Sequence, residues 1–206
     1  MNLKKIARWF GIGVAALLVF GLTLSSCAME GQVLEEGTNK PLAGAIVITT
    51  WHGSTLNPVH STSTCFHLET ATTDKNGKFK MPSFSGNVDP FIVDRNRYLD
   101  VYKAGYQRSA KQAPSETVLL LEPYRGTVTK RLEDIVSVRG NADCGPEKEK
   151  STKLLSLQKA LLNEARIIAA APEDQKLVNS LQHGADRLEF GDEEAYRRLN
   201  AGVYGK

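Results

Sequence analysis

Over residues 29–124, short bursts of Val, Ile, Thr, Tyr and Phe alternate with polar positions and are broken by Gly, Pro, Asn and Asp. That rhythm predicts strands punctuated by turns. The runs place strands near 30–34, 45–51, 65–72, 78–81, 91–94, 99–103 and 117–121. Seven short strands cannot bury their apolar faces as one flat sheet, so two sheets packed as a sandwich are expected. Two turns stand out, EEGTNKP at 35–41 and DKNG at 74–77. In the second, Asp74 can bond its own backbone and Gly77 tolerates a positive φ. Between two strands, GSTLNPVHSTS at 53–63 reads as a long polar loop. Loops of that length in compact domains are more often functional than accidental.

From about Thr127 the texture changes to Leu, Ala, Glu, Lys, Gln and Arg. Leu154, Leu157, Leu161, Ala165 and Ile168 recur at three-to-four spacing, and so do Leu177, Leu181, Ala185 and Leu188 after Pro172. Two amphipathic helices are expected, with Pro172 as a first helical residue. The AAAP break between them predicts an antiparallel pair. A third short helix is expected from Asp192 as a cap, with Ala195, Tyr196 and Leu199 facing inward. Glu147, Lys148, Glu149 and Lys150 read as a solvated linker or an exposed first turn. The fold class is therefore mainly β with α, a seven-stranded sandwich followed by a small helical C-terminal segment.

The N-terminus changes the picture. Lys4, Lys5 and Arg8 precede a charge-free run from Trp9 to Ser26, the layout of a secretory signal. The run ends in Leu24-Ser25-Ser26-Cys27, which resembles the lipobox of bacterial lipoproteins. The alternative is an uncleaved anchor, since about 18 apolar residues just span a bilayer; glycines and the small pair before Cys27 suit cleavage better. The resemblance implies a signal peptide over 1–26 and lipidation of Cys27. Ala28, in place of Asp, implies passage to the outer membrane, so the expected location is the cell envelope, lipid-anchored on the periplasmic face. The remaining chain divides into a β-sandwich over 27–125 and a helical segment over 126–206. Losing three basic residues with the signal leaves the Lys and Arg count equal to the 23 acidic residues. A neutral mature chain gives no electrostatic case for nucleic acid.

Of three cysteines, lipidation of Cys27 leaves Cys65 and Cys144 in a compartment that permits disulfides. A bridge between them is the expectation, with two free thiols as the alternative, because sequence does not show that their Cα atoms approach.

The β-half carries a further resemblance. GQVLEEGTNKPLAGAIV, TATTDKNGKFKMP and VYKAGY are similar to the carboxypeptidase regulatory-like domain, a transthyretin-like (prealbumin-like) sandwich, from about Glu30 to Pro123. The carrying positions are Gly31, the run Lys40-Pro41-Leu42-Ala43-Gly44-Ala45, Thr73-Asp74, Gly77-Lys78-Phe79 and Gly105-Tyr106. The resemblance implies a folding or binding module without catalytic residues; fold analogy supplies no activity.

Enzymatic motifs are correspondingly missing. No His-x-x-Glu, HExxH, G-x-S-x-G or glycine-rich phosphate loop occurs. Tyr124-Arg125-Gly126-Thr127 after Val118-Leu119-Leu120-Leu121 resembles the Tyr-Arg-Gly-Ser ending of hydroxyisourate hydrolases. Thr replaces Ser, and no histidine stands in the strand before it. His52, His60, Cys65 and His67 lie close enough in sequence to raise a zinc or copper site. Packed or hydrogen-bonded histidines are the default, and Cys65 and His67, two apart on a strand, should share a face. Trp51, Tyr98, Tyr102 and Tyr106 offer an aromatic surface for sugar or peptide, or core. The sequence thus reads as a non-enzymatic envelope lipoprotein, a binding or structural module with no cofactor and no metal. Its partners are the membrane, through the lipid, and an envelope protein or a glycan. Trp51, His52, His60 and His67 are its candidate ligand-binding residues, and a metal-binding protein using His52, His60 and His67 is the alternative.

Overall fold

Asp74 begins the local structure. Its side-chain oxygen accepts from the backbone of Asn76 and Lys78, both at 2.8 Å, and Gly77 completes the turn at φ +70°. This Asx turn launches a strand whose apolar residues alternate inward. In the computed structural model, which describes residues 28–55, 62–84, 86, 88–112, 116–145 and 147–202, the strands are β1 Met29–Glu35, β2 Ile46–Thr55, β3 Thr62–Thr72, β4 Lys78–Met81, β5 Ile92–Tyr102, β6 Ser109–Gln112 and β7 Glu116–Leu121. Four helices follow: α1 Val128–Ala142, α2 Glu147–Ile168, α3 Asp174–Phe190 and α4 Asp192–Asn200. The chain is mixed α and β, with two small sheets.

The strand map departs from the sequence expectation. The runs at 91–94 and 99–103 are one strand, β5, because Asn96, Arg97 and Tyr98 between them stay paired with β2. A further strand, β6, lies at 109–112, where no apolar alternation marks it. The loop expected over 53–63 is narrower, since pairing continues to Thr55 opposite Thr62; residues 56–61, with His60, lie outside the described residues. Cys27 also lies outside them.

One sheet has the order β4-β1-β7 and the other β3-β2-β5-β6. They face each other across a single apolar layer. Met29, Val33, Phe79, Met81, Leu119 and Leu121 come from the first, and Ala45, Val47, Leu99 and Val101 from the second or its entry. The reverse face of the four-stranded sheet is buried too. Ile46, Ile48, Leu68 and Tyr102 pack there against Leu132, Ile135 and Val138 of α1 and Leu157 and Leu161 of α2. Burial on both faces explains why residues 46–50 of β2 are all buried, where a one-faced strand would alternate.

In the helical layer, α2 and α3 run antiparallel: Lys159 pairs with Glu189 at 2.8 Å, and Arg166 donates to Gln182. Gly184 lets them approach, since a Cβ there would lie 2.7 Å from the Gln158 side-chain nitrogen. The segment at 128–142, marked in sequence only by a change of composition, is a full helix capped by Thr127, whose hydroxyl accepts from the Lys130 N–H. Helix α3 begins at Asp174, two residues beyond Pro172. Asp192 is not a cap, as Gly191 holds that place. Of the residues expected to face inward from α4, Ala195 is buried, but Tyr196 and Leu199 are exposed, Tyr196 touching the His183 ring edge-on at 5.3 Å with only part of its own ring.

The two layers are joined through one buried polar network. Glu164 of α2 accepts from Arg131 Nε at 2.9 Å, from a terminal nitrogen of Arg131 at 2.8 Å, from the Tyr102 hydroxyl at 2.6 Å and from the Gly105 N–H at 2.9 Å. Arg131 also donates to the carbonyls of Tyr106 and Lys103. Burial alone would raise the Glu164 carboxyl, but the bonds from Arg131, Tyr102 and Gly105 outweigh it and hold the carboxyl below its ordinary range.

Candidate functional site

The site is built by an irregularity. In the β2–β3 pairing Trp51 faces His67, but the next residue, His52, faces Cys65. Phe66 is therefore an extra residue, a β-bulge. In a regular strand residues 65 and 67 share a face. Here the bulge reverses that: Cys65 joins Ile48, Thr50 and His52 on the helix-facing side, while His67 stays with Trp51 on the opposite one, their rings 5.0 Å apart. The expectation of a shared face for Cys65 and His67 is overturned. A second register shift, between His52 and Ser54, follows on the β5 side. Gly53 is required there, because a Cβ would lie 2.4 Å from Ile92 Cγ2 and 2.8 Å from the Val93 carbonyl oxygen.

On the helix-facing side Cys65 meets Cys144, just beyond α1, in a disulfide with a Cα separation of 5.3 Å. That separation is within the usual range for such bonds. The bridge spans 79 positions of sequence and ties the edge strand β3 to the helical layer. Beside it, Cys144 Sγ lies 3.2 Å from the His67 carbonyl oxygen, so the α1–α2 connection covers the β3 edge.

The disulfide forms one wall of a cleft of about 630 Å³ between the four-stranded sheet and the C-terminal end of α1. His52 Nε2 lies 3.2 Å from Cys65 Sγ and 3.1 Å from the Thr50 hydroxyl. Burial holds this imidazole below its ordinary pKa. The Tyr98 ring meets the His52 ring edge-on at 5.2 Å and is itself 47% exposed. Across the cleft, Arg108 donates to Asp100 at 2.6 Å and to the Ser137 hydroxyl at 2.6 Å. Burial pushes the Asp100 carboxyl up, against the opposing pull of Arg108. Among the described residues, one group of three metal-ligating side chains lies together, His52, Cys65 and Cys144, with ligand atoms all within 4.8 Å of one another.

The candidate ligand residues are thus dispersed. His52 is in the cleft, His60 lies outside the described residues, and Trp51 and His67 belong to an aromatic cluster on the other face. There His67 stacks on Phe84 at 4.0 Å and its Nε2 lies 3.0 Å from Glu69. A site uniting His52 with His67 is not formed. Nor do the four aromatic residues make one surface: Tyr102 is buried and bonded to Glu164, and the Tyr106 hydroxyl donates to Glu35. Tyr124, Arg125, Gly126 and Thr127 form the entry to α1, with the Tyr124 hydroxyl donating to the Thr127 carbonyl. Asp100, Arg108 and Tyr98 were not marked as a set in the sequence. Only the period-2 register of β5, which puts Tyr98 and Asp100 on the same side, points to two of them.

Among the described residues no helix is long and apolar enough to cross a membrane. No family model matches the chain, and no curated protein matches it. Among solved structures it is similar to the shaft pilin SpaA of Lactobacillus rhamnosus GG, at 14% identity and TM-score 0.31, over 50% of this chain and 48% of the pilin. The chain thus spans about half of that protein's length. An alternative pilotin of the Vibrio cholerae type II secretion system matches over 50% of this chain and all of its own, at 11% identity and TM-score 0.27. A 9R-lipoxygenase from Cyanothece matches over 81% of this chain and 28% of its own, at 14% identity and TM-score 0.29. Likenesses this slight identify neither a fold family nor an activity.

Proposed function

We propose that this chain is a lipid-anchored binding or structural module of a bacterial cell envelope, without enzymatic activity, and that its β-half is a transthyretin-like sandwich of the carboxypeptidase regulatory-like kind. The observation that carries the reading is the Cys65–Cys144 bridge. It consumes two of the three cysteines and leaves Cys27, at the end of the apolar run, for a different chemistry. A bridge joining the two layers also suits an oxidising compartment. The fold part draws support from two sheets facing across one apolar layer and from the Asx turn at Asp74 with Gly77 at positive φ.

In this reading lipidated Cys27 tethers the module and the cleft beside the bridge receives part of an envelope protein or glycan, with the exposed Tyr98 ring as a stacking face. The cleft's polar groups support binding over catalysis, since Asp100, Arg108 and Ser137 hold one another. Membrane fractionation of cells producing the whole chain tests the anchor. The wild type should appear in the membrane fraction with an N-terminal peptide beginning at a lipid-bearing Cys27, and Cys27→Ala should be released or stay uncleaved. A wild-type chain lacking lipid and recovered in the soluble fraction would refute the reading.

A further inference from the structure

We infer that the reduced form of this protein binds one zinc ion through His52 Nε2, Cys65 Sγ and Cys144 Sγ, so that the disulfide and the metal are mutually exclusive occupants of one site. The inference is independent of the envelope reading, since it concerns the dithiol form in any compartment.

The geometry carries it. A tetrahedral zinc with bonds of about 2.0 Å to nitrogen and 2.3 Å to sulfur sets its ligand atoms roughly 3.5 Å apart. His52 Nε2 already lies 3.2 Å from Cys65 Sγ, and all three ligand atoms fall within 4.8 Å. Opening the S–S bond is the one large change needed, because the two Cα atoms are held 5.3 Å apart by elements that the bridge does not itself define. Cys65 is fixed by the bulge and by pairing with His52, and Cys144 by the end of α1, whose Leu132, Ile135 and Val138 are buried against the sheet. All three residues line the same cleft, so the fourth position of the metal opens to water, as in sites with three protein ligands.

The chemistry balances. A dithiol supplies two electrons and two protons to the Cys65–Cys144 bond and itself closes to a disulfide. Zinc then displaces the two thiol protons, forming two Zn–S bonds and one Zn–N bond. In the reverse direction a small-molecule disulfide takes the two thiolate electrons and two protons and leaves as its dithiol, the Cys65–Cys144 bond re-forms, and Zn²⁺ is released from all three ligands.

The test uses the whole chain in detergent, reduced with a phosphine so that no added dithiol competes for metal, and titrated anaerobically with Co²⁺ as a zinc probe. One Co²⁺ per chain should bind, with near-ultraviolet sulfur-to-cobalt absorption and the visible bands of a tetrahedral ion. Zinc should displace it and should shield Cys65 and Cys144 together from alkylation, read by peptide mass. The oxidised protein should show neither absorption. His52→Ala should weaken binding at least about tenfold. Should that variant fail to fold, joint protection of the two cysteines in the wild type decides the matter. Absence of the charge-transfer band, cysteines alkylated equally with and without zinc, or a folded His52→Ala protein of undiminished affinity would each overturn the proposal.

Discussion

Arg131 and Glu164 meet side by side in the interior, Arg131 Nε and one terminal nitrogen each donating to a Glu164 oxygen at 2.9 and 2.8 Å, with both residues at most 7% exposed. Removing one member leaves the other charge buried without its partner. Arg131→Met should therefore cost about 3–5 kcal/mol, read as a lower urea midpoint. The double change Arg131→Met with Glu164→Leu should cost less than the two single changes added together. Additive losses would show that the two side chains act separately.

Glu164 also sets a pH dependence. Its folded pKa is depressed, so its contribution is fully present above the unfolded carboxylate value, about 4.3, and is lost as pH falls through the folded value. Asp100 works in the opposite sense: its folded pKa is raised, so its contribution is largest in acid and declines as pH rises through that value. Denaturation of wild type and Glu164→Gln from about pH 7 down to about pH 3 should show the gap between them narrowing in acid. A constant gap would contradict the assignment.

The disulfide closes a loop of 79 positions, for which chain entropy gives about 4 kcal/mol. Cys144→Ser and Cys65→Ser should lower the melting temperature by similar amounts, and reduction of the wild type should match them. Alkylation without reductant should label neither residue in the oxidised protein. A melt unchanged by reductant would show that the bridge constrains nothing.

Gly77→Ala and Gly37→Ala separate strain from collision. Both glycines have positive φ. A Cβ at Gly77 would lie 2.4 Å from the Val33 carbonyl oxygen, whereas at Gly37 nothing stands within 4 Å. Gly37→Ala should cost about 1 kcal/mol from backbone strain alone, and Gly77→Ala clearly more. Equal losses by thermal melting would contradict this.

The fold is most legible in the sequence where a local rule decides the outcome. The Asx turn at Asp74, the alternation of Phe79 and Met81, and the stripe from Leu154 to Ala165 each follow from spacing within a few residues. The Cys65–Cys144 pairing follows instead from the number of cysteines in the chain. What stayed hidden depended on partners distant in sequence. Polar residues Asn96 and Arg97 look like a break, yet pairing with His52 and Trp51 of β2 keeps them in the strand. Arg131 and Glu164 look like surface charges on helical runs until the sheet and Tyr102 enclose them. Asp100 and Arg108 become a pair only when β5 and the segment after it fold back together. The face assigned to His67 failed for a subtler reason, because a period-2 argument assumes unbroken pairing and Phe66 interrupts it.

That interruption works as a phase shift. Residues of β3 before Phe66 are half a period out of step with those after it, so one strand offers its thiol to the helices and its imidazole to the other sheet. Sidedness here is held by which residue steps out of the ladder more than by the kind of residue at each place. Pairing Phe66 in register opposite His52 would swing Cys65 toward Trp51 and away from Cys144, although every residue named in the cleft would still be present in the chain.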